Sequence, residues 1–246
     1  MPQPLAGAIA LVTGATRGIG RATAIALAAA GAHIVAVGRT QGALEEVDDA
    51  ARAAGGSATL VPLDMRDYAG IYRLARALDE RHQRLDVLVG NAGIAGPRSP
   101  LDHIEPAAWD ETMAVNLTAN WHLIRAMLTL LKRSAAGRAV FITSGAATHA
   151  RAYAGPYSVS KAGLNVLART FAEETSSTPI RVNLFNPGPT RTRMRASVMP
   201  GEDPMTLPTA EEVATKIVDL CLPGFSETGK LYDFRAGKIL EFLEPA

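Results

Sequence analysis

Short apolar runs alternate with longer amphipathic stretches along the chain. The runs are Ala8–Val12, His33–Val37, Ala58–Pro62, Asp86–Val89, Arg138–Thr143, Ile180–Phe185 and Leu231–Phe234. Runs of this length, apolar nearly throughout, predict strands buried on both faces. Between them, Ile19–Ala30, Leu44–Ala54, Tyr68–His82, Pro106–Lys132, Tyr157–Thr175 and Thr209–Leu222 predict helices. The punctuation agrees: Gly55-Gly56 stops the second helix, Pro106 opens the long one, and Thr209 with Glu212 spells a capping box. Strand and helix in strict alternation predict a parallel sheet, covered on both sides and wound by right-handed crossovers. The expected architecture is α/β, a doubly wound three-layer sandwich around a mainly parallel seven-stranded sheet. No Pro/Gly/Ser-rich linker or repeat divides the chain, so residues 1–246 read as one domain. The stretch Gly188–Pro208 stands apart. It carries Pro189, Pro200, Pro204 and Pro208, with Met194 and Met199 near its middle, and reads as a structureless lid over a site.

Composition narrows the function. Twenty-five Lys+Arg against 24 Asp+Glu leave a formal charge of +1, which argues against a nucleic-acid binder. The single Cys221 excludes an internal disulfide and a cysteine-based zinc site, and the histidines show no metal spacing, so no metal is expected. No run of 18 apolar residues and no secretory leader are visible, so no membrane is expected and a cytoplasmic protein is.

The loop Thr13-Gly14-Ala15-Thr16-Arg17-Gly18-Ile19-Gly20 follows the first predicted strand and opens the first predicted helix. Gly14 would allow a tight turn, while Gly18 and Gly20 would let the backbone approach a pyrophosphate at a helix N-terminus, as in a Rossmann-like dinucleotide site. The spacing G-x-x-x-G-x-G differs from the common G-x-G-x-x-G, and the loop lacks the Gly-Lys-Ser/Thr of a nucleoside-triphosphate loop. After the second strand, where an acid would favour NAD, stand Gly38-Arg39-Thr40. Arg39, helped by Arg17, would hold a 2′-phosphate, so NADP is favoured with NAD still possible. Asp64, with Met65 beside it, would meet the adenine.

Tyr157 and Lys161 are four residues apart and share a helix face. An ammonium beside a phenol favours phenolate, so Lys161 is expected to lower the Tyr157 pKa and make a general acid/base. Ser144, 13 residues earlier, lies at the carboxyl end of its strand, where its hydroxyl could hold a substrate oxygen. His149, Arg151 and Tyr153 lie between them, on the expected pocket rim. Ser158 and Lys161 also spell S-x-x-K, but no S-D-N or K-T-G accompanies it.

With these motifs in this order, the chain resembles the single-domain short-chain dehydrogenases/reductases over nearly its whole length. The carrying residues are the Thr13–Gly20 loop, Asn91-Ala92-Gly93, Asn116, Ser144, Tyr157 with Lys161, and Pro187-Gly188 with Thr192. The resemblance implies hydride transfer between a nicotinamide and a small carbonyl or secondary alcohol, in a homodimer or homotetramer paired through the long helix and the Tyr157 helix. It implies that Tyr157 is the general acid, that Lys161 holds the nicotinamide ribose, and that Ser144 orients the substrate. Asn116 would hold a water through its main chain, Asn91-Ala92-Gly93 would pass the adenosine-side ribose, and Pro187, Gly188, Thr190 and Thr192 would meet the carboxamide and diphosphate. Thr16, Ile19 and Thr40 complete the expected cofactor set. A nucleotide-binding sensor or scaffold with little turnover is the alternative. Three departures stand out: Gly90 in place of the first asparagine of Asn-Asn-Ala-Gly, Asp233-Phe234-Arg235-Ala236-Gly237 in place of an acidic-Gly-Gly, and the basic run Arg191–Arg195.

Overall fold

The structure is a computed structural model that describes residues 3–242. Met1, Pro2 and residues 243–246 lie outside the described residues, so the ends of the 1–246 domain reading fall beyond it. Eight strands form one sheet in the order β3-β2-β1-β4-β5-β6-β7-β8. They are β1 (Ile9–Thr13), β2 (His33–Gly38), β3 (Ser57–Pro62), β4 (Val87–Gly90), β5 (Arg138–Ile142), β6 (Arg181–Asn186), β7 (Leu231–Asp233) and β8 (Lys238–Leu240). The first seven run parallel; β8 returns antiparallel on β7. The sheet expected with seven strands therefore has an eighth. It escapes a hydrophobic reading because Lys-Ile-Leu is three residues long, mostly exposed, and reached through a turn at Gly237 (φ +65°).

The helices are α1 (Gly18–Ala29), α2 (Gln41–Ala53), α3 (Tyr68–His82), α4 (Pro106–Met113), α5 (Ala119–Lys132), α6 (Gly155–Glu174), α7 (Arg193–Val198) and α8 (Ala210–Cys221). Strand alternation sorts them into two outer layers. From β1, Ile9 and Leu11 join the cluster of Ile71 and Leu74 from α3, Leu123 and Met127 from α5, and Leu164 and Phe171 from α6. Ala10 and Val12 turn the other way, to Leu27 of α1, Leu44 and Val47 of α2, and Val213 and Ile217 of α8. Among the described residues, no helix is long and apolar enough to cross a membrane.

Two expectations change here. The stretch Pro106–Lys132 is broken by a π-helical turn over Ala114–Thr118. A π-turn adds a single residue to one turn and has no residue signature of its own, so the stretch reads as one continuous helix. The Gly188–Pro208 segment, expected without structure, contains α7 and a 3-10 turn at Pro204–Thr206.

Strand order reverses across β1, which lies between β2 and β4, and this leaves a crevice at the carboxyl ends of β1 and β4. Thr13 closes that junction. Its hydroxyl donates to Val89 O (3.3 Å) and accepts from Asn91 N and Ala92 N (both 3.0 Å). Thr13→Val keeps the shape but orphans Ala92 N and leaves Asn91 N only its bond to Val89 O (3.1 Å), so it is expected to cost about 1–2 kcal/mol in urea unfolding, with Thr13→Ser close to neutral. A loss for the valine variant below about 0.5 kcal/mol, within the range of an inconsequential substitution, would contradict this account.

Candidate active site

The glycine loop and the Asn91 loop are built against each other. Gly14 has φ +64°, and a Cβ there would lie 3.0 Å from Ala92 Cα. A Cβ on Gly20 would lie 2.3 Å from both Asn91 Nδ2 and Gly14 O, a distance no side chain tolerates. The Asn91 amide donates to Thr13 O (2.9 Å) and Gly14 O (3.3 Å), clamping the loop. Gly18 (φ +53°) faces the Thr192 methyl, where a Cβ would come within 3.3 Å. No side chain caps α1, so its first N–H groups remain open to an anion.

The adenosine end of the groove is set by β2. Thr16 packs on Gly38, where a Cβ would be 2.4 Å from its methyl. Arg17, Arg39 and Thr40 are exposed around it. Neither arginine is in an ion pair among the described residues. These glycine cradles and uncommitted cations fit a dinucleotide with an extra phosphate. The side chains of Ile19 and Met65 pack against the core clusters. Asp64 is also committed. Arg66 grips it through Nε (3.1 Å), Nη2 (2.8 Å) and its main-chain N (2.9 Å), and this side-chain bonding holds the carboxyl down at about 2.

Ser144, Tyr157, Lys161 and Asn116 converge at the other end. Ser144 follows β5; its hydroxyl accepts from Ala146 N (3.2 Å) and lies close enough to the Tyr157 phenol to act on its titration. Tyr157 lies in the first turn of α6, which Pro156 helps to open. The Lys161 ammonium is buried (4% exposed), 5.9 Å from the Tyr157 ring centre, and donates to Ile142 O at 2.7 Å. Burial lowers Lys161 from 10.5 to about 8. The expected lowering of Tyr157 by Lys161 is not found. Burial raises the phenol, since phenolate is the form that loses most by leaving water, and the nearby Ser144 hydroxyl offsets only part of that.

Asn116 sits on the π-turn, fully buried. Its side chain accepts from Ile94 N (2.8 Å) and donates to Ile94 O (2.9 Å) and Ser160 Oγ (3.0 Å). Ser160 in turn donates to Tyr157 O (2.8 Å), so this hydroxyl ties Asn116 to the tyrosine's own turn. The Asn116 main-chain oxygen, expected to hold a water, accepts from Asn120 Nδ2 at 2.8 Å, which uses one of its two lone pairs. Asn120 also explains the Gly90 departure: a Cβ at Gly90 would lie 2.5 Å from Asn120 Oδ1 and 2.5 Å from Phe141, so no asparagine fits there. Thr13, Asn120 and Ser160 were not legible as site residues. Ser160 had a signal only in its place next to Lys161.

A pattern match and two kinds of likeness accord with this geometry. The pattern of the short chain dehydrogenases matches residues 8–203. The chain belongs to the short chain dehydrogenase family. It is 34% identical to the oxidoreductase YciK of Escherichia coli K12 over 236 residues, which cover 94% of this chain and 92% of that protein. A solved short chain dehydrogenase from Pseudomonas syringae superposes with a TM-score of 0.91 at 38% identity, covering 95% and 96% of the two chains. Another, from Shigella flexneri 2a and complexed with NADP, superposes with a TM-score of 0.90 at 34% identity, covering 95% and 99%. This member of the family is thus an oxidoreductase, with the glycine groove and the Ser144–Tyr157–Lys161 cluster in one crevice.

The loop after β6 lies beside both. Pro187 and Thr190 are buried, and Gly188 has φ +63°. Thr190 Oγ1 donates toward Pro187 O and Gly188 O (both 3.3 Å), while Thr192 caps α7 by accepting from Arg195 N (3.2 Å). The basic run is largely spoken for. Arg191 bonds the carbonyls of Pro204 (2.9 Å) and Leu207 (3.2 Å), and Arg195 forms a two-pronged pair with Glu202 (2.5 and 2.6 Å). His149, Arg151 and Tyr153 lie exposed on the rim, Tyr153 with φ +67°.

Lys161 titrates lower in the folded chain than in the unfolded one. Its burial penalty is present in full below about pH 8 and disappears as pH rises toward 10.5. Lys161→Met carries no such penalty. In urea unfolding, the stability difference between the two proteins is expected to shift in favour of lysine as pH rises from about 8 to about 10.5. A difference independent of pH would contradict the assignment.

Proposed function

We propose that this short chain dehydrogenase is an NADP-preferring oxidoreductase acting on the carbonyl or secondary alcohol of a small molecule. The observation that carries the reading is the meeting of Ser144, Tyr157 and Lys161 at one end of the glycine groove, with Arg17 and Arg39 exposed at the other. When bound, the nicotinamide supplies or accepts the hydride. The protein's residues do the rest. Arg39 and Arg17 hold the 2′-phosphate, and no carboxylate stands among Gly38, Arg39 and Thr40 to repel it. The backbone of Gly14, Gly18 and Gly20 and the open end of α1 hold the diphosphate, with Thr16, Ile19 and Thr192 beside them. Asn91, Ala92 and Gly93 pass the adenosine-side ribose, while Asp64 and Met65 edge the adenine through their main chains. Pro187, Gly188 and Thr190 receive the carboxamide.

Ser144 and Tyr157 both point hydroxyls at one substrate oxygen. In reduction Tyr157 gives its proton to that oxygen, and a phenol raised by burial is fully protonated for the task at neutral pH. Ser144 donates to the same oxygen as negative charge develops. The Lys161 ammonium, anchored on Ile142 O, favours the phenolate that remains and binds the ribose. Asn116 and Ser160 hold the helix turn that carries the tyrosine. The segment 188–208 closes over the substrate as one piece, stiffened by the Arg191 and Arg195 contacts. Trp121, Val159 and Val166 are exposed on α5 and α6, which supports a homodimer or homotetramer paired there. The lone Cys221, buried with its thiol pushed up to about 12, suits a cytoplasmic protein.

Tyr157→Phe is expected to lower NADPH-dependent reduction of an aldehyde or ketone panel by at least about 100-fold while NADPH still binds. Unchanged turnover would overturn the mechanism. A wild-type chain that binds NADPH but reduces nothing would favour the sensor reading.

A further inference from the structure

The parallel register of β6 and β7 sets Asn186 level with Asp233. Phe234 N donates to Asn186 O at 3.0 Å, so the two strand ends are joined through the main chain as well. Their side chains then meet. Asn186 Nδ2 donates to Asp233 Oδ2 at 2.8 Å. The other end of the same amide is used too: Asn186 Oδ1 accepts from Gly188 N at 3.1 Å. Asp233 Oδ1 accepts from Ala236 N at 2.9 Å, inside the turn that leads to β8. One unbroken chain of hydrogen bonds therefore runs from the β7–β8 turn to the main chain of Gly188.

The polarity of that chain has one solution. A carboxylate only accepts, so it selects the NH₂ end of the Asn186 amide and leaves the oxygen facing Gly188. Gly188 is in the left-handed region, and its N–H has few ways of being satisfied if this acceptor turns away. Two further contacts put Asn186 at a crossing. A Cβ on Gly145, next to Ser144, would lie 3.8 Å from Asn186 Nδ2, and one on Gly188 would lie 3.8 Å from Arg235 Cβ. The amide is thus packed between the serine loop, the Pro187–Gly188 turn and the C-terminal hairpin.

We propose that Asp233 is a positioning residue: acting through Asn186, it fixes the Pro187–Gly188 turn in the conformation that receives the nicotinamide end of the cofactor. The inference rests on the cofactor reading above. It also gives β8 a purpose, since the β7–β8 turn holds Asp233 in place. The departure from an acidic-Gly-Gly end is then a different solution in which the acid stands two residues before Arg235, paired across the sheet with Asn186.

Isosteric substitutions test the polarity alone. Asp233→Asn presents an amide to an amide, and turning either one leaves Gly188 N or Ala236 N facing a donor. Asn186→Asp sets two carboxylates against each other. The double variant Asn186→Asp/Asp233→Asn restores every donor–acceptor pair in reverse. Dissociation constants are measured for NADPH and for adenosine 2′,5′-bisphosphate, which lacks the nicotinamide. Each single variant is expected to bind NADPH about tenfold more weakly and the bisphosphate within about twofold of wild type, and the double variant to recover NADPH binding to within about threefold. Three results would overturn the proposal: unchanged NADPH binding by Asp233→Asn, equal weakening of both ligands, which marks a merely structural effect, or no recovery in the double variant. A wild-type chain that binds neither ligand would overturn the cofactor reading itself, and this inference with it.

Discussion

A buried ammonium held by one carbonyl organises the site. Lys161 reaches from α6 to Ile142 O at the end of β5, and burial alone pulls its pKa from 10.5 down to about 8. A charge in that position is tolerated only if its surroundings are fixed. The surroundings are fixed by Asn116 on the π-turn, by Ser160 tying that turn to Tyr157, and by Gly93, where a Cβ would come 3.7 Å from the ammonium. Tyr157 and Ser144 face the same small volume. The phenol and the ammonium are both driven toward their neutral forms, which keeps a proton on the tyrosine and weakens its hold on the lysine. Burial thus pushes the two pKa values apart, the phenol upward and the ammonium downward, which marks Tyr157 as the proton-bearing acid of the pair.

The crevice that houses this centre follows from strand order. Because β1 lies between β2 and β4, the loops after β1 and β4 open side by side, and close contact between Gly14, Gly20 and Asn91 fuses them. The Thr13 hydroxyl and the Asn91 amide replace a side-chain-rich contact with a few directed hydrogen bonds. A glycine-lined groove with open main-chain N–H groups results, and only glycine permits the approach.

Much of this was legible in the sequence, for physical reasons. Continuous apolar runs such as Ile9–Thr13 and Arg138–Ile142 mark strands buried on both faces, and the i, i+4 spacing of Tyr157 and Lys161 survives any detail of packing. What escaped depends on tertiary contact. The π-turn at Ala114–Thr118 has no residue signature of its own, so one long helix was the natural reading. Strand β8 is too short and too exposed to carry a pattern. The basic run was ambiguous until Arg191 and Arg195 were seen bound to Pro204, Leu207 and Glu202. Gly90 looked like a lost contact, but its space is occupied by Asn120, thirty positions further along the chain. The upward direction of the Tyr157 shift escaped because spacing reveals a nearby charge and not burial, which is its main cause.

The central claim is that the groove reads a phosphorylated adenosine at one end and serves a proton-passing tyrosine at the other. Comparative titration of the wild-type chain with NADPH and NADH, at low and at moderate salt, tests it most directly. The account predicts tighter binding of NADPH, with an advantage over NADH that shrinks as salt screens Arg17 and Arg39. Equal or tighter binding of NADH at both salt concentrations would contradict it.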